Sequence, residues 1–288
     1  MQISKNNYIK AAGAGSTFNV LIDSLPIKFD NYFVESCNAA EEIYSRRQGK
    51  LYLLYSGGID SEYALKIFLH LKMDVVPVVI NLNPKYNDFD TAYAIKFCNK
   101  NKIEPLVINL DFDQFVKSGK FLEVSKICRS EIFHRAATAY VAGQLDGTVL
   151  LGDGEPYIKK NNDHWNIEIY EHDYAVWNYF VATGIYGTTH FNRYTPEMLL
   201  SFFADERMIE LANNKVPGKL SSNSSKFIIY NRHSNFNLEE RPKYHGYEKI
   251  ETSEIFQHDS FQELAIIGKE WNGIYSTNYF EFMKQCGQ

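Results

Sequence analysis

The sequence predicts an α/β fold: a parallel sheet flanked by helices, followed by a mostly helical, irregular C-terminal region. Three observations carry that reading. Short continuous apolar runs alternate with segments whose apolar residues recur at helical spacing. A turn rich in serine and glycine falls between the first such run and the first such helix. Beyond Gly152 the alternation stops, and the chain becomes polar and aromatic.

Taken in order, residues 1 to about 35 are mixed, with Ala11-Ala12-Gly13-Ala14-Gly15-Ser16 and short apolar pieces such as Asn19–Ile22. Asn38 to Arg47 reads as a helix leading into the first strand. Strands are expected at Leu51–Tyr55, Val75–Leu82, Leu106–Leu110 and Thr148–Leu151. The helix Asp60–Leu71 carries Ala64, Ile67, Phe68 and Leu71 on one face, and the next carries Phe89, Tyr93 and Phe97. A third runs from about Phe121 to Gln144, with Val124, Ile127, Cys128, Ile132, Phe133, Ala136 and Tyr140 inward.

The strands are apolar throughout rather than alternating, as in a sheet covered on both faces. Strand–helix alternation implies parallel βαβ units, so the layer is Rossmann-like, with ligands expected at the carboxyl edge of the sheet. After Gly152, Tyr157–Tyr170 reads as a hairpin turning at Asn161-Asn162-Asp163. Helices are expected at Asp173–Ala182, from Thr195-Pro196 to about Asn213, and at Phe261–Gly268. Ser221–Ser225 reads as a flexible loop over a substrate. The expected division is an N-terminal extension and leading helix (1–48), an α/β core (49–156) and a substrate-side region packed on it (157–288).

At 288 residues, with 45% hydrophobic and 23% charged side chains, the composition is that of a soluble globular chain of one or two domains. A net charge of −5 is no basic footprint and argues against a nucleic-acid partner, leaving a local basic groove as the one route to it. The 20 Tyr and 20 Phe read as buried aromatics, or more sharply as a stacking surface for bases. Cys37, Cys98, Cys128 and Cys286 are scattered without a CxxC pair, which argues against a zinc site or a disulfide framework. Cys98 and Cys128 read as buried small apolar residues and Cys286 as an ordinary tail residue. Met1–Lys10 lacks a hydrophobic signal region, and no apolar run is long enough to span a bilayer. The expectation is a soluble, cytoplasmic protein.

The chemistry concentrates at Tyr55-Ser56-Gly57-Gly58-Ile59-Asp60-Ser61. A strand, a glycine turn and a helix N-terminus in that order make an anion site, because the amides of the first helical turn have no internal partner. Ser56 and Ser61 add hydroxyl donors, and Gly57 and Gly58 let the backbone approach a phosphate. Asp60 makes most sense there as a ligand for Mg²⁺.

Ser56–Ser61 resembles the PP-loop, Ser-Gly-Gly-x-Asp-Ser, of the ATP pyrophosphatase superfamily; no Lys-Ser/Thr pair follows the glycines, so it is not a Walker A loop. The resemblance implies the adenine nucleotide α-hydrolase-like form of the Rossmann-like fold. It also implies ATP cleavage between the α- and β-phosphates, with ATP and Mg²⁺ as cofactors. Gly152-Asp153-Gly154-Glu155 looks like the Gly-x-Gly-x-Asp-Glu turn of asparagine synthetase and β-lactam synthetase, one residue shorter. It implies that Asp153 or Glu155 holds metal opposite Asp60, without deciding between them, with Gly152 beside the nucleotide. Arg241–Ile250 is similar to a late lysine element of those enzymes, which makes Lys249 the first and Lys243 the second candidate for balancing charge as pyrophosphate leaves. By position, Ile80 and Asn81 would receive adenine, and Leu54 and Tyr55 would line its pocket.

Departures shape the expectation. Residue 2 is Gln, and only about fifty residues precede the first strand, so no glutamine-hydrolysing machinery fits. Ammonia would then be free or come from a partner, or another amine would replace it. The reading is an AMP- and pyrophosphate-forming ligase, asparagine synthetase-like, acting on a small-molecule carboxylate or amide oxygen and an amine. One alternative is a PP-loop enzyme modifying a nucleobase or tRNA; another is a non-catalytic nucleotide-binding module.

Overall fold

A computed structural model describes residues 8–23, 25, 28–154, 156–161, 164–213, 222–239 and 248–287. The chain opens with an antiparallel hairpin of β1 (Ile9–Ala12) and β2 (Asn19–Ile22). Helix α1 (Tyr32–Arg46) begins six residues before the expected start, because the Asn31 side chain accepts from Val34 N–H and caps it. The core then alternates through β3 (Leu51–Leu54), α2 (Ile59–His70), β4 (Val76–Asn83), α3 (Asp88–Lys100) and β5 (Leu106–Asp111). It continues through α4 (Phe112–Lys117), α5 (Lys120–Cys128), α6 (Phe133–Ala142) and β6 (Thr148–Leu151).

All pairings in the main sheet are parallel, and its order is β5-β4-β3-β6-β9, where β9 is Gly187–Thr188. The sheet thus takes its fifth strand from beyond residue 156. Alternate side chains serve opposite faces. Leu51, Leu53 and Leu150 join the core under α1 and α2, while Tyr52, Leu54, Val149 and Leu151 join the one under α5, α6 and α7 (Ala175–Thr183). That two-sided burial is why β3 and β6 are apolar throughout, whereas β5, at the edge of the sheet, leaves Leu106 and Val107 exposed. The order also fixes the site. The chain runs outward from β3 through β4 to β5, then returns to the other flank of β3 as β6. The crevice at this reversal lies between the loops that follow β3 and β6.

The expected third helix is two helices. Arg129 ends α5 in the left-handed region (φ 53°), and Ser130 Oγ accepts from Ile132 N–H as the chain turns into α6. Arg129 then reaches Glu171 at 3.1 Å. Likewise the expected helix from Thr195 to Asn213 breaks into α8 (Pro196–Phe203) and α9 (Glu206–Ala212), because Asp205 caps the second piece through Arg207 N–H.

Beyond the core, β7 (Ile158–Asn161) and β8 (His164–Tyr170) form the expected hairpin, though Asn162 and Asp163 lie outside the described residues. Strand β10 (Ile274–Asn278) pairs antiparallel with β8 and was not anticipated. The serine run is not a loop over its described length: Ser222–Ser225 opens α10 (Ser222–Arg232), while Ser221 lies outside the described residues. Packing decides this against weak helix propensity. Lys226 and Tyr230 anchor the helix on Asp60. The chain ends with α11 (Glu248–Glu251), α12 (Asp259–Ile267) and α13 (Tyr279–Gln285). The four cysteines are free, and Cys98, Cys128 and Cys286 are buried. Among the described residues no helix is long and apolar enough to cross a membrane.

Candidate nucleotide site

The loop after β3 folds on its own hydroxyls. Gly58 N–H donates to Ser56 Oγ, the Ser56 and Ser61 hydroxyls lie 3.2 Å apart, and Ser61 Oγ donates to Gly58 O. Gly58 is the N-cap of α2 and has no side chain to spend on the first-turn amides. Gly57 adopts φ +85°, and a Cβ there would lie 2.4 Å from Asp90 O in α3, so glycine is required on both counts.

The loop after β6 packs directly on this turn. A Cβ at Gly152 would meet Ser61 Cα at 2.6 Å. Asn192 holds the second loop in place: its side-chain amide donates to Gly152 O, and its backbone N–H donates to Asp153 O at 3.2 Å. Tyr32 in turn donates to Asn192 O and stacks with Tyr63 and Tyr230, which are 4.2 Å apart and 12° from parallel. Tyr230 donates to Asp60 Oδ1 at 2.8 Å. One buried stack of three tyrosines thus fixes both loops. Such pairs contribute about 1 kcal/mol each beyond their buried area.

Between and beside the loops lies a cavity of about 220 Å³. Leu54, Tyr55, Ser56, Ser61, Ile80, Gly152 and Asp153 line it, together with the apolar Val78, Leu82, Ala137 and Leu151. Seven of the sequence candidates therefore meet in one place. Gly57, Gly58, Asp60 and Asn81 are not among its lining residues, and the Asn81 side chain bonds Asn109 at 3.1 Å. Asn87 was not anticipated, and its position is informative. Its carboxamide accepts from Leu82 N–H and donates to Ile80 O, both at 2.8 Å. The side chain thereby occupies a donor and acceptor pair of the β4 backbone edge at the cavity.

Asp60, one-fifth exposed, accepts from Lys226 Nζ at 2.5 Å as well as from Tyr230. Asp153 is ion-paired with Arg135. Each carboxylate thus carries a protein cation. The two are of the right kind for Mg²⁺, a hard cation held by one or two carboxylates plus phosphate oxygens. Among the described residues no group of three or more His, Cys, Asp or Glu could hold a metal by itself, so phosphate oxygens would have to complete the shell. Glu155 lies outside the described residues.

Lys249 is not a lining residue: it pairs with Asp88 and donates to Lys85 O at 3.1 Å. Lys243 and the rest of Arg241–Gly246 lie outside the described residues. Lys226 is the lysine in contact with the loop. Its signal was its i, i+4 spacing to Tyr230, legible only once the segment is known to be helical. Arg135 and His134 enter the cavity because the break at Arg129 starts a new helix there. Burial, with Arg135 and His172 adding to it, pushes the His134 imidazole down to about 3, so it is neutral near pH 7.

No family model matches the chain, and no curated protein matches it. A solved structure described as a predicted subunit of tRNA methyltransferase from Methanocaldococcus jannaschii DSM is similar at 16% identity. It covers 67% of this chain and 94% of its own, with a TM-score of 0.33. The reading of the crevice therefore rests on its own residues: a serine–glycine turn at a helix N-terminus, a second loop packed on it, and two neutralised carboxylates at the reversal point of a parallel sheet.

Proposed function

We propose that the crevice binds ATP and that the protein is a PP-loop-type enzyme that forms AMP and pyrophosphate. The observation that carries this is the Ser61–Gly152 contact, which sets the hydroxyl- and amide-rich turn and the Asp153 loop on either side of one crevice. In this reading Ser56, Ser61 and the amides of α2 hold the phosphates, and Ile80 and Leu82 receive the adenine edge once Asn87 withdraws. Asp60 and Asp153 hold Mg²⁺, which supplies charge neutralisation on the triphosphate when bound.

A substrate oxygen attacks the α-phosphorus, the bond to the bridging oxygen of the β-phosphate breaks, and pyrophosphate leaves. Lys226, freed from Asp60, is the cation placed to follow the departing charge; this moves the role expected of Lys249 to a residue of α10. An amine then displaces AMP from the activated carbon and loses its proton to solvent. Such catalysis is positioning plus electrostatics.

The finer reading is an asparagine synthetase-like ligase. A second reading, modification of a nucleobase or tRNA, is favoured by one observation: Tyr157, Tyr170 and His172 line a cavity that adjoins the nucleotide site.

Substrate-dependent exchange of labelled pyrophosphate into ATP tests the core of the proposal, with carboxylic acids and bases screened as substrates. Asp60→Ala is expected to abolish exchange, and Lys226→Met to slow it about 100-fold, the loss usual for a group stabilising transition-state charge. Exchange that survives Asp60→Ala contradicts the metal assignment.

A further inference from the structure

A second cavity, of about 240 Å³, shares the Arg135–Asp153 pair with the nucleotide site, so that pair is a common wall. The far side is built by parts outside the core α/β units: Tyr157 and Tyr170 from the hairpin, His172 and Asp173 from the 3-10 turn after it, and His190. We propose that this cavity is the acceptor site and that it selects a small planar molecule carrying a cationic nitrogen, an amine or amidine on a single ring. The inference rests on the nucleotide reading above for its role, but not for its chemistry.

Size, shape and charge agree on that class. The volume lies below the usual range for drug-sized ligands, which suits a single ring. Three half-buried rings form the walls, with Tyr170 and His172 stacked at 5.1 Å and Tyr157 tilted against Tyr170 at 6.1 Å. Aromatic faces attract both planar rings and cations.

The charges point the same way. Among the described lining residues Arg135 is the lysine or arginine of the wall, and it is ion-paired with Asp153. Burial holds His172 and His190 below the ordinary imidazole range, although Asp173 opposes it at His172. Asp173 has no lysine or arginine partner among the described residues. Its carboxylate is about one-quarter exposed, accepts from Tyr170 N–H at 3.2 Å, and lies 3.8 Å from the neutral His172. Among charges packed behind the wall, Glu168 accepts from Tyr170 Oη and Asn161, with Lys159 at 3.8 Å, and Glu171 is taken by Arg129, while the Arg193 guanidinium acts on His190 and the Glu131 carboxylate on His172. The cavity therefore sets the Asp173 carboxylate on an aromatic wall, where it repels a carboxylate and holds a cationic nitrogen more strongly than a neutral amide N–H, since a charge-assisted hydrogen bond is the stronger one.

Three probes of one shape test this: benzamidine, benzamide and benzoate, each titrated calorimetrically into the intact protein, with ATP titrated in parallel. Benzamidine is expected to bind at least about tenfold more tightly than either isostere, the factor that one favourable charge contact of about 1.4 kcal/mol supplies. Asp173→Asn, which keeps the acceptor for Tyr170 N–H, is expected to remove most of that preference while ATP binding is unchanged. Tyr157→Ala is expected to weaken benzamidine several-fold, again without touching ATP. Equal binding of the three probes, or a preference that survives Asp173→Asn, overturns the inference and leaves the nucleotide reading standing. Loss of ATP binding in the wild-type protein sinks the nucleotide reading instead, whatever benzamidine does.

Discussion

The two cavities on either side of the Arg135–Asp153 pair are built on different principles. The nucleotide side is made of strand ends and a helix start, so its groups are held by the sheet itself. Leu54, Ser56, Ile80, Leu151 and Gly152 are there because β3, β4 and β6 end there. The acceptor side is made of side chains from a hairpin, a 3-10 turn and the residue before another, held mainly by hydrogen bonds and ring contacts. The nucleotide side offers backbone and hydroxyl donors suited to a polyanion; the acceptor side offers rings and a carboxylate. In the proposed reading, sheet geometry would fix the nucleotide on one side, while hairpin chemistry would select the acceptor on the other.

The largest expected effect breaks the contact on which the nucleotide side depends. Gly152→Val drives a side chain into Ser61 and is expected to cost about 2–3 kcal/mol of stability, as overpacking does. It should abolish ATP binding even where the chain still folds. A urea titration with ATP binding measured alongside separates the two losses.

Acid is expected to strike the acceptor side next. His190 is buried, with Nε2 donating to Asp173 O, and burial plus the nearby Arg193 hold its imidazole well below its ordinary value. The unfolded chain takes up that proton near pH 6.5, while the folded chain resists it. The stabilisation is therefore complete above about pH 6.5 and is lost as pH falls, by about 1 kcal/mol between pH 6.5 and 5.5 for this one imidazole. Urea midpoints at pH 7.5 and 5.5 should show the drop, and His190→Gln should reduce it by about 1 kcal/mol, leaving the share of His134 and His172.

The smallest effect sharpens the nucleotide side alone. Asn87→Ala frees Ile80 O and Leu82 N–H and is expected to raise ATP affinity about fivefold, close to the net value of one hydrogen bond. Benzamidine binding should not change. A fall in ATP affinity would mean that Asn87 orders the strand edge rather than blocks it.

The same contrast explains what the sequence disclosed. Continuous apolar runs and a glycine turn mark the sheet and its carboxyl edge, since they are dictated locally by burial on two faces and by backbone conformation. Ser56–Ser61 and Gly152–Asp153 were therefore legible. Lys226 was not, because Ser222–Ser225 read as a loop until tertiary contacts made it helical. Arg135 was hidden by the single apolar pattern from Phe121 to Gln144, which gives no sign of the left-handed turn at Arg129. Tyr170 and Asp173 are joined locally, but His190 reaches them through a long-range hydrogen bond and Tyr157 through the fold of the hairpin, neither of which leaves a local pattern.

The central claim is that the crevice between the β3 and β6 loops is an ATP site completed by Mg²⁺ on Asp60. Calorimetric titration of ATP into the wild-type protein and Asp60→Asn, each with and without Mg²⁺, tests it most directly. The account predicts wild-type binding that strengthens at least about tenfold on adding Mg²⁺, a gain of about 1.4 kcal/mol, and no such gain in Asp60→Asn. Wild-type protein that does not bind ATP, or an equal gain in both proteins, would contradict it.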